Sequence, residues 1–268
     1  MVRSAAERAF IPTRHVLEEF GDMMILTGRT IWSALRPPYP YGGELVSQFL
    51  FALRLVWFPL LISTVAINYG APGLQAGDFL TLFGALDRLG GFFVLAAIRE
   101  IGPLITSIVV AGVAGTAITA DLGARKVREE LDALQVLGVD PVKNLVVPRF
   151  LALMVVTGLF DIYALLFGFF GGILAALAFG QPLGPFWGTL FANASTVDLW
   201  GSVLKTTIFG AIVAIVCCYK GMSASGGAEG VGRAVNEAVV VSFLGIGAFN
   251  YVFTQTLLAT HPEINIIK

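Results

Sequence analysis

Long apolar runs separated by polar stretches dominate the pattern along the chain. The hydrocarbon core of a bilayer is about 30 Å thick, and an α-helix needs about 20 apolar residues to cross it. Five runs have roughly this length, so we predict an all-α polytopic membrane protein with five transmembrane helices. The predicted spans are Val46–Tyr69, Ile101–Ala120 with an extension back through Phe92, Leu151–Phe179, Val203–Tyr219 and Ala238–Ala259.

Two further segments are too polar or too irregular to count as spans. Gly70–Gly91 is moderately apolar but carries charges such as Asp87, which favours a short re-entrant or surface helix. Gly180–Ser202 has Trp187 near its start and Trp200 near its end, and tryptophan is typical of headgroup depth. We predict that neither segment crosses the membrane.

The region 1–45 is predicted to form an amphipathic helix ahead of the first span. Its apolar residues recur at three- and four-residue steps, whereas its acidic residues fall on other faces. The helix is expected to end at Arg36, because proline cannot continue a helix and three prolines follow from Pro37. A helix lying flat on the cytoplasmic leaflet fits this pattern, and a soluble helix packed on the protein is the alternative. The apolar residues are Val16, Phe20, Met23, Thr27, Ile31 and Leu35.

The longest hydrophilic stretch between spans, 121–140, also has a helical pattern. It predicts a short amphipathic helix at about 125–138, ended by Gly138 in a left-handed conformation. Asp140 followed by Pro141 is typical of the start of the next helix. This helix could be a solvated connector or a docking surface for a soluble partner, and the pattern fits both. Val127, Leu131, Leu134 and Leu137 form the apolar stripe, and Arg128, Glu129 and Asp132 point away from it.

Composition and charge narrow the class of protein. Hydrophobic residues make up 56% of the chain and charged residues 13%, whereas soluble domains have about 45–50% and about 25%. A net charge of −1 provides no basic field for nucleic acid. Twelve of the 17 Lys and Arg residues lie in 1–45, 122–150 and 220–237, and positive charge marks cytoplasmic segments. We therefore predict an integral membrane protein with its amino terminus in the cytoplasm and its carboxyl terminus outside.

Charged residues inside the predicted spans are candidates for function, since each costs about 2.5–3.5 kcal/mol on insertion scales. Arg99 and Glu100, beside the second span, and Lys205, in the fourth, all fall toward the outer half of the membrane. They could line a cavity for a charged headgroup, and a structural ion pair such as Glu100 with Lys205 is the alternative. Arg54 can extend toward the cytoplasmic interface, and Asp161 has no evident partner.

The sequence lacks the common motifs for nucleotide binding, hydrolysis and metal binding. No GxxxxGK[ST] motif occurs, so ATP binding by a P-loop is excluded, and HExxH and GxSxG motifs are also absent. The adjacent Cys217 and Cys218 match no metal-ligand spacing and are predicted to be small buried hydrophobic residues. Small residues at Gly168 and Gly172, and at Ala111, Gly115 and Thr119, predict close helix packing.

Several short runs between residues 99 and 237 stand out by their order and spacing. They are Arg99-Glu-Ile-Gly-Pro103, Ala120-Asp-Leu-Gly123, Glu129-Glu-Leu-Asp-Ala-Leu134, Leu137-Gly-Val-Asp-Pro141, Val147-Pro-Arg149, Lys205-Thr-Thr-Ile-Phe209, Tyr219-Lys-Gly221 and Ala234-Val-Asn-Glu237. In this order and spacing the chain resembles the MlaE/YrbE family of ABC-transporter permeases. The resemblance covers roughly residues 45–260 and assigns 46–268 to one permease domain. The runs Asp121-Leu-Gly-Ala-Arg125 and Cys218-Tyr-Lys-Gly221 are most similar to the YrbE permeases of actinobacterial Mce systems. The chain departs from many relatives at Val113, where they have an arginine after Ala-Gly.

The resemblance implies a permease that works as a dimer with a second subunit, either a paralogue or an identical chain. Two cytoplasmic ABC ATPase subunits would bind ATP and Mg, while this chain would bind no cofactor, hold no metal and catalyse no reaction. MCE-domain proteins would lie on the outer side. Arg99, Glu100 and Lys205 would face a lipid cavity. The helix coupled to the ATPase would include Arg128, Glu129, Glu130, Leu131, Asp132, Leu134, Leu137 and Gly138.

These implications predict lipid transport between an MCE assembly and the plasma membrane, in the direction of import. A fatty acid, mycolic acid, sterol or phospholipid would suit an apolar cavity. The main alternative is a secondary transporter or channel driven by an ion gradient, with Glu100 as proton carrier. A structural anchor for an outer assembly is a third hypothesis, and it predicts that changes at Glu100 and Lys205 leave lipid movement untouched.

Overall fold

A computed structural model describes the backbone of residues 5–265 and the side chains of residues 16–262 and of residue 264. These residues are almost entirely helical and include no strand, and five of the helices are long and apolar enough to cross a membrane. The all-α polytopic prediction is therefore confirmed. Lys268, one of the five Lys and Arg residues outside the three predicted cytoplasmic segments, lies outside the described residues. The helices are α1 (Ala5–Leu35), α2 (Gly42–Leu82), α3 (Leu86–Val127), α4 (Glu130–Val136), α5 (Val142–Ala178), α6 (Leu183–Asn193), α7 (Thr196–Met222) and α8 (Gly227–Thr260).

The first span is longer than the apolar run predicted. Beyond Asn68 the helix continues through a π-helical turn, Tyr69–Gln75, and ends at Leu82. Pro72 lies inside this turn, and the wider turn accommodates a residue that lacks a backbone N–H. The segment predicted as a separate re-entrant or surface helix is therefore the end of α2 and the start of α3, joined at Gly84 with a φ of 65°. The segment after α5 forms the short helix α6, as expected for a piece that does not span.

Helix α5 lies at the centre of the bundle, between α2 and α7. Its glycines allow close approach: a Cβ at Gly171 would lie 2.7 Å from the carbonyl oxygen of Val65, and one at Gly172 would lie 2.6 Å from the ring of Phe93. On the other side, Thr119 of α3 donates a hydrogen bond to the carbonyl of Cys217. The packing faces predicted from small residues are confirmed. Cys217 and Cys218 are fully buried, as predicted for small hydrophobic residues.

Close approach at Gly171 gives a direct test of this packing. Gly171→Ala is expected to lower the free energy of unfolding by about 1–3 kcal/mol, because the added methyl group meets backbone atoms that cannot move aside. Unfolding of the purified protein in detergent measures the loss. Gly188→Ala in α6 is the matched control, since nothing lies within 4 Å of its added Cβ. Equal stability of the two variants would contradict the assignment of Gly171 to a packing face.

Helix α1 presents different surfaces around its circumference. Met23, Leu26 and Thr30 are buried against the bundle. A second, broad face of α1 is apolar and exposed. The predicted apolar stripe therefore covers both faces, and only part of it packs on the protein. Such an exposed face suits contact with lipid, and the leaflet position of α1 stays a prediction. The exposed apolar residues are Val16, Leu17, Phe20, Met24, Ile25, Ile31, Trp32 and Leu35.

Polar contacts hold α1 against the turn that joins α7 to α8. The ammonium group of Lys220 contacts the carboxylate of Glu19, and it lies 2.7 Å from a carboxylate oxygen of Glu237 in α8. The hydroxyl of Tyr219 donates a hydrogen bond to Asp22 of α1. Helix α1 is thus attached to the α7–α8 turn, at the same end of the bundle as α4.

Candidate functional site

The first halves of α3 and α7 and the last part of α8 meet in the half of the bundle opposite α4. Their polar side chains form a group that we call the polar cluster. The three residues predicted as lipid-cavity candidates all belong to it, and the structure adds three more. The polar cluster consists of Arg99, Glu100, Asp198, Lys205, Asn250 and Thr254.

Arg99 connects three elements. Its Nε lies 2.7 Å from a carboxylate oxygen of Asp198 at the start of α7, and its Nη2 donates to the carbonyl oxygen of Ile264 at 2.8 Å. Asp198 is held in place by a capping box, in which its backbone N–H donates to the hydroxyl of Ser195 and its carboxylate accepts from the backbone N–H of Ser195. Both side chains of the ion pair are nearly inaccessible to solvent.

Lys205 and Glu100 form the second ion pair of the polar cluster, with 3.4 Å between Nζ and Oε1. Lys205 also contacts the carbonyl of Arg99 and the hydroxyl of Thr254. Glu100 accepts hydrogen bonds from Asn250 at 2.7 Å and from Thr254 at 2.8 Å. The side chain of Lys205 is 3% exposed and that of Glu100 is 32% exposed, so Glu100 is the member of the pair that a ligand can reach.

This geometry bears on both sequence hypotheses for the charged residues. The ion pair between Glu100 and Lys205 exists, and each of the two cations has a carboxylate partner. A structural pair and a headgroup site are nevertheless compatible, since an incoming anion could take the hydrogen bonds that Glu100 now accepts. The arrangement can therefore bind an anionic group by exchange for a half-exposed carboxylate.

Sequence reasoning missed three residues of the polar cluster. Asp198 was recognisable, because Ser195 and an acid three residues later form a capping box. Asn250 and Thr254 were weaker signals, although two polar residues four apart in an apolar helix indicate an interhelical hydrogen-bonding face. Asp161, left without a partner by the sequence, accepts a hydrogen bond from Ser202 at 2.6 Å. Arg54 is exposed on α2.

The helix predicted at about 125–138 is interrupted in the structure. Helix α3 continues to Val127, Glu129 adopts a left-handed φ of 61°, and α4 covers only Glu130–Val136. The predicted single helix is therefore wrong, whereas its predicted end is confirmed by Gly138 with a φ of 76°. The predicted start of the next helix is also confirmed, since the carboxylate of Asp140 accepts the backbone N–H of Val142 at 2.9 Å.

The break divides the residues predicted to couple to an ATPase into two groups. Leu131 is buried and Leu134 is half-buried against the core, so these two attach α4 to the bundle. Val136 and Leu137 are 88% and 77% exposed, and they form an apolar patch on a polar end of the protein. The charged residues make local ion pairs, Arg128 with Glu130 and Lys126 with Asp132. Val136 was not among the predicted residues.

In the part of the chain that the structure describes, five helices are long and apolar enough to span a membrane, which defines a polytopic membrane protein. Comparison with known proteins specifies the family. A family model described as Permease MlaE matches residues 47–256, and the chain therefore belongs to the MlaE permease family. The family resemblance stated from the motifs is confirmed, while the finer likeness to actinobacterial YrbE permeases stays a prediction.

Individual relatives agree with this assignment. The chain is 32% identical to a probable ABC transporter permease protein of Rickettsia typhi, over 90% of this chain and 92% of that protein. It is 30% identical to the intermembrane phospholipid transport system permease protein MlaE of Haemophilus influenzae, over 69% of this chain and 72% of that protein. A third relative is the chloroplastic protein TRIGALACTOSYLDIACYLGLYCEROL 1 of Arabidopsis thaliana, 34% identical over 65% of this chain and 50% of that protein.

Proposed function

We propose that this chain is the membrane-spanning subunit of an ABC transporter that moves lipid. The observation that carries the proposal is that α3 links two unlike surfaces. Arg99 and Glu100 of the polar cluster lie in its first half, and its other end leads directly into α4 with the exposed Val136 and Leu137. A helix that connects a headgroup site to a docking surface can transmit motion between them.

In this proposal α4 is the docking surface for a soluble ATPase subunit. Binding of ATP would close two such subunits and push α4, and α3 would pass the movement to the polar cluster. Helix α3 contains π-helical turns at Val94–Ile101 and Ala111–Gly115, and such turns often mark functional positions in helices. The first of these turns carries Arg99 and Glu100 themselves, so a change in helical winding there would alter the polar cluster directly.

The lipid headgroup would bind at the polar cluster. A phosphate or carboxylate could accept hydrogen bonds from Lys205, Asn250 and Thr254 in place of Glu100. The acyl chains would lie in an apolar cavity, where each methylene group removed from water contributes about 0.8 kcal/mol. The phospholipid named for the Haemophilus relative favours a phospholipid cargo, with fatty acid, mycolic acid and sterol as further candidates.

The remaining assignments follow from the charge distribution and from the family resemblance. We place the α4 end in the cytoplasm with the amino terminus, and the polar cluster toward the outer face of the plasma membrane with the carboxyl terminus outside. A second permease subunit, a paralogue or an identical chain, would complete the cavity, and MCE-domain proteins would bind on the outer side. Transport would run inward, and this chain would hydrolyse no ATP itself.

Purification of the intact assembly from its native host tests the proposal most directly. Mass spectrometry should identify an ABC ATPase, a second permease subunit, MCE-domain proteins and bound lipid. Transfer of that lipid by the assembly in vesicles should require ATP. Transport that persists after removal of the ATPase would instead support the ion-gradient alternative with Glu100 as proton carrier.

Lys205→Met is expected to slow ATP-dependent lipid transfer about tenfold or more. The change removes the cation proposed to hold the headgroup, and a hydrogen bond to a charged group contributes about 1.5–3 kcal/mol. Lys143→Met is the matched control, because Lys143 is a cation at the α4 end, where its ammonium group contacts the carbonyl of Arg36. Unchanged transfer by the Lys205 variant would favour the structural-anchor hypothesis.

A further inference from the structure

Asp161 of α5 is fully buried where α3, α5 and α7 meet, beside the polar cluster but outside it. Its Oδ2 accepts a hydrogen bond from the hydroxyl of Ser202 in α7 at 2.6 Å. Its Oδ1 has no hydrogen-bond partner among the residues that the structure describes. Oδ1 faces α3, since a Cβ built on Gly102 would lie 3.8 Å from it. Buried polar atoms are rarely left unsatisfied, so this oxygen requires an explanation.

The neighbouring cations are already paired with other carboxylates, so neither serves as a dedicated counter-ion for Asp161. On α3 and α7, Arg99 is bound to Asp198 and Lys205 to Glu100, so two cations face two carboxylates. The other helices packed against α5 offer nothing closer. Helix α6 contains no charged residue, Arg54 of α2 is exposed, and Glu44 of α2 lies at the α4 end with Arg149 and Asp121. Helix α1 also packs against α5, and its Glu19 and Asp22 lie at the α4 end, where they contact Lys220 and Tyr219.

Lys205 is the cation that attracts an ionised Asp161, but it is already paired with Glu100. An ionised Asp161 would therefore be a third carboxylate beside two cations, with one hydrogen bond at membrane depth. Burial of such a charge is unfavourable by several kcal/mol, and the group takes up a proton instead. A protonated Asp161 leaves the polar cluster with two positive and two negative groups and no net charge. An ionised Asp161 would add a negative charge within about one helical turn of Lys205, because Ser202 precedes Lys205 by three residues on α7.

We propose that Asp161 carries a proton, and that its neutrality allows an anionic lipid headgroup to enter the polar cluster. This inference rests on the proposed function, since it assigns the charge of the lipid that binds there. Asp161 is a positioning residue in this scheme, because it acts on the headgroup through the charge balance around Lys205. The headgroup itself contacts Lys205, Asn250 and Thr254.

Infrared spectroscopy of the purified assembly tests the protonation of Asp161. At neutral pH the native protein should show a carbonyl band of a protonated carboxylic acid that is missing in Asp161→Asn. Glu237→Gln is the matched control, because Glu237 is a well-exposed carboxylate and its replacement should leave the band unchanged. The same band in the Asp161 variant and in the native protein would overturn the proposal.

Lipid binding as a function of pH tests the role of that proton. The assembly in detergent is titrated with fluorescent phosphatidylglycerol, and fluorescent phosphatidylcholine serves as the lipid of no net charge. As pH rises and Asp161 loses its proton, the native protein should lose about tenfold in affinity for phosphatidylglycerol relative to phosphatidylcholine, the size expected of one added charge at this range. Asp161→Asn is neutral at every pH and should keep its affinity. Asp161→Leu provides a second neutral variant in case the first does not fold.

The outcomes separate this inference from the function on which it rests. Parallel pH profiles of the native protein and the neutral variants, with phosphatidylglycerol bound by both, would overturn the role of Asp161 and leave the proposed function intact. Failure of every protein to bind either lipid would count against the proposed function, and the role of Asp161 in lipid entry would fall with it. The infrared band decides its protonation in either case.

Discussion

The double variant Val136→Asp with Leu137→Asp is expected to abolish recovery of the ATPase subunit with this chain. The two side chains are almost fully exposed on α4 and form the apolar patch of the proposed docking surface. Each would contribute about 1.5–3 kcal/mol on burial in an interface, and a carboxylate buried there without a partner would oppose binding further. The measurement is the amount of ATPase that purifies with the assembly, together with ATP-dependent lipid transfer.

Because Val136 and Leu137 are both exposed, the double variant tests docking separately from folding. Aspartate at an exposed site leaves the packing of the bundle alone, whereas the same change at Leu134 would also disturb the core against which that residue packs. Phe191→Asp is the matched control, since Phe191 is equally apolar and well exposed but lies on α6 at the opposite end. Normal ATPase recovery with normal transport in the double variant would refute docking at α4.

The docking surface also shows where sequence reasoning reached its limit. Periodicity predicted one helix at about 125–138, of which only the end at Gly138 was correct, because the structure divides this stretch between the end of α3 and the short helix α4. The helical pattern was extended through Arg128 and Glu129, however, and non-glycine residues rarely adopt a positive φ, so no local signal marked the left-handed turn at Glu129. That turn reorients the chain, which leaves Leu137 exposed although it belonged to the predicted apolar stripe.

The polar cluster was only half predictable, for a different physical reason. Arg99, Glu100 and Lys205 stand out because charges are rare in apolar runs. Their partners come from helices distant in sequence, and only the packing of α3 against α7 and α8 shows that Asp198 faces Arg99. Neutral polar residues such as Asn250 carry less signal than charges, because they occur in membrane helices wherever a neighbouring helix offers a hydrogen-bond partner. The sequence did not predict that α2 continues to Leu82. Charges and glycines make the segment after Tyr69 less apolar than a typical span, although the helix continues through it.

Removal of Arg99 is expected to produce the largest loss of stability among changes at the polar cluster. Arg99→Met would leave the carboxylate of Asp198 fully buried without its cation and would free the carbonyl of Ile264. Loss of one partner from a buried ion pair costs about 3–5 kcal/mol, because the other charge stays desolvated. Unfolding of the purified protein in detergent, followed by loss of helical signal, measures the change.

The double variant Arg99→Met with Asp198→Asn distinguishes this charge effect from lost packing. An asparagine at 198 can still accept the capping hydrogen bond from the backbone N–H of Ser195, and no unpaired charge remains. The double variant should therefore regain most of the stability that the single variant loses. If the two are equally unstable, the contribution of Arg99 comes from its contact with the turn at Ile264 and from packing. The ion pair would then be incidental to the link that joins α3 and α7 beside the proposed lipid site.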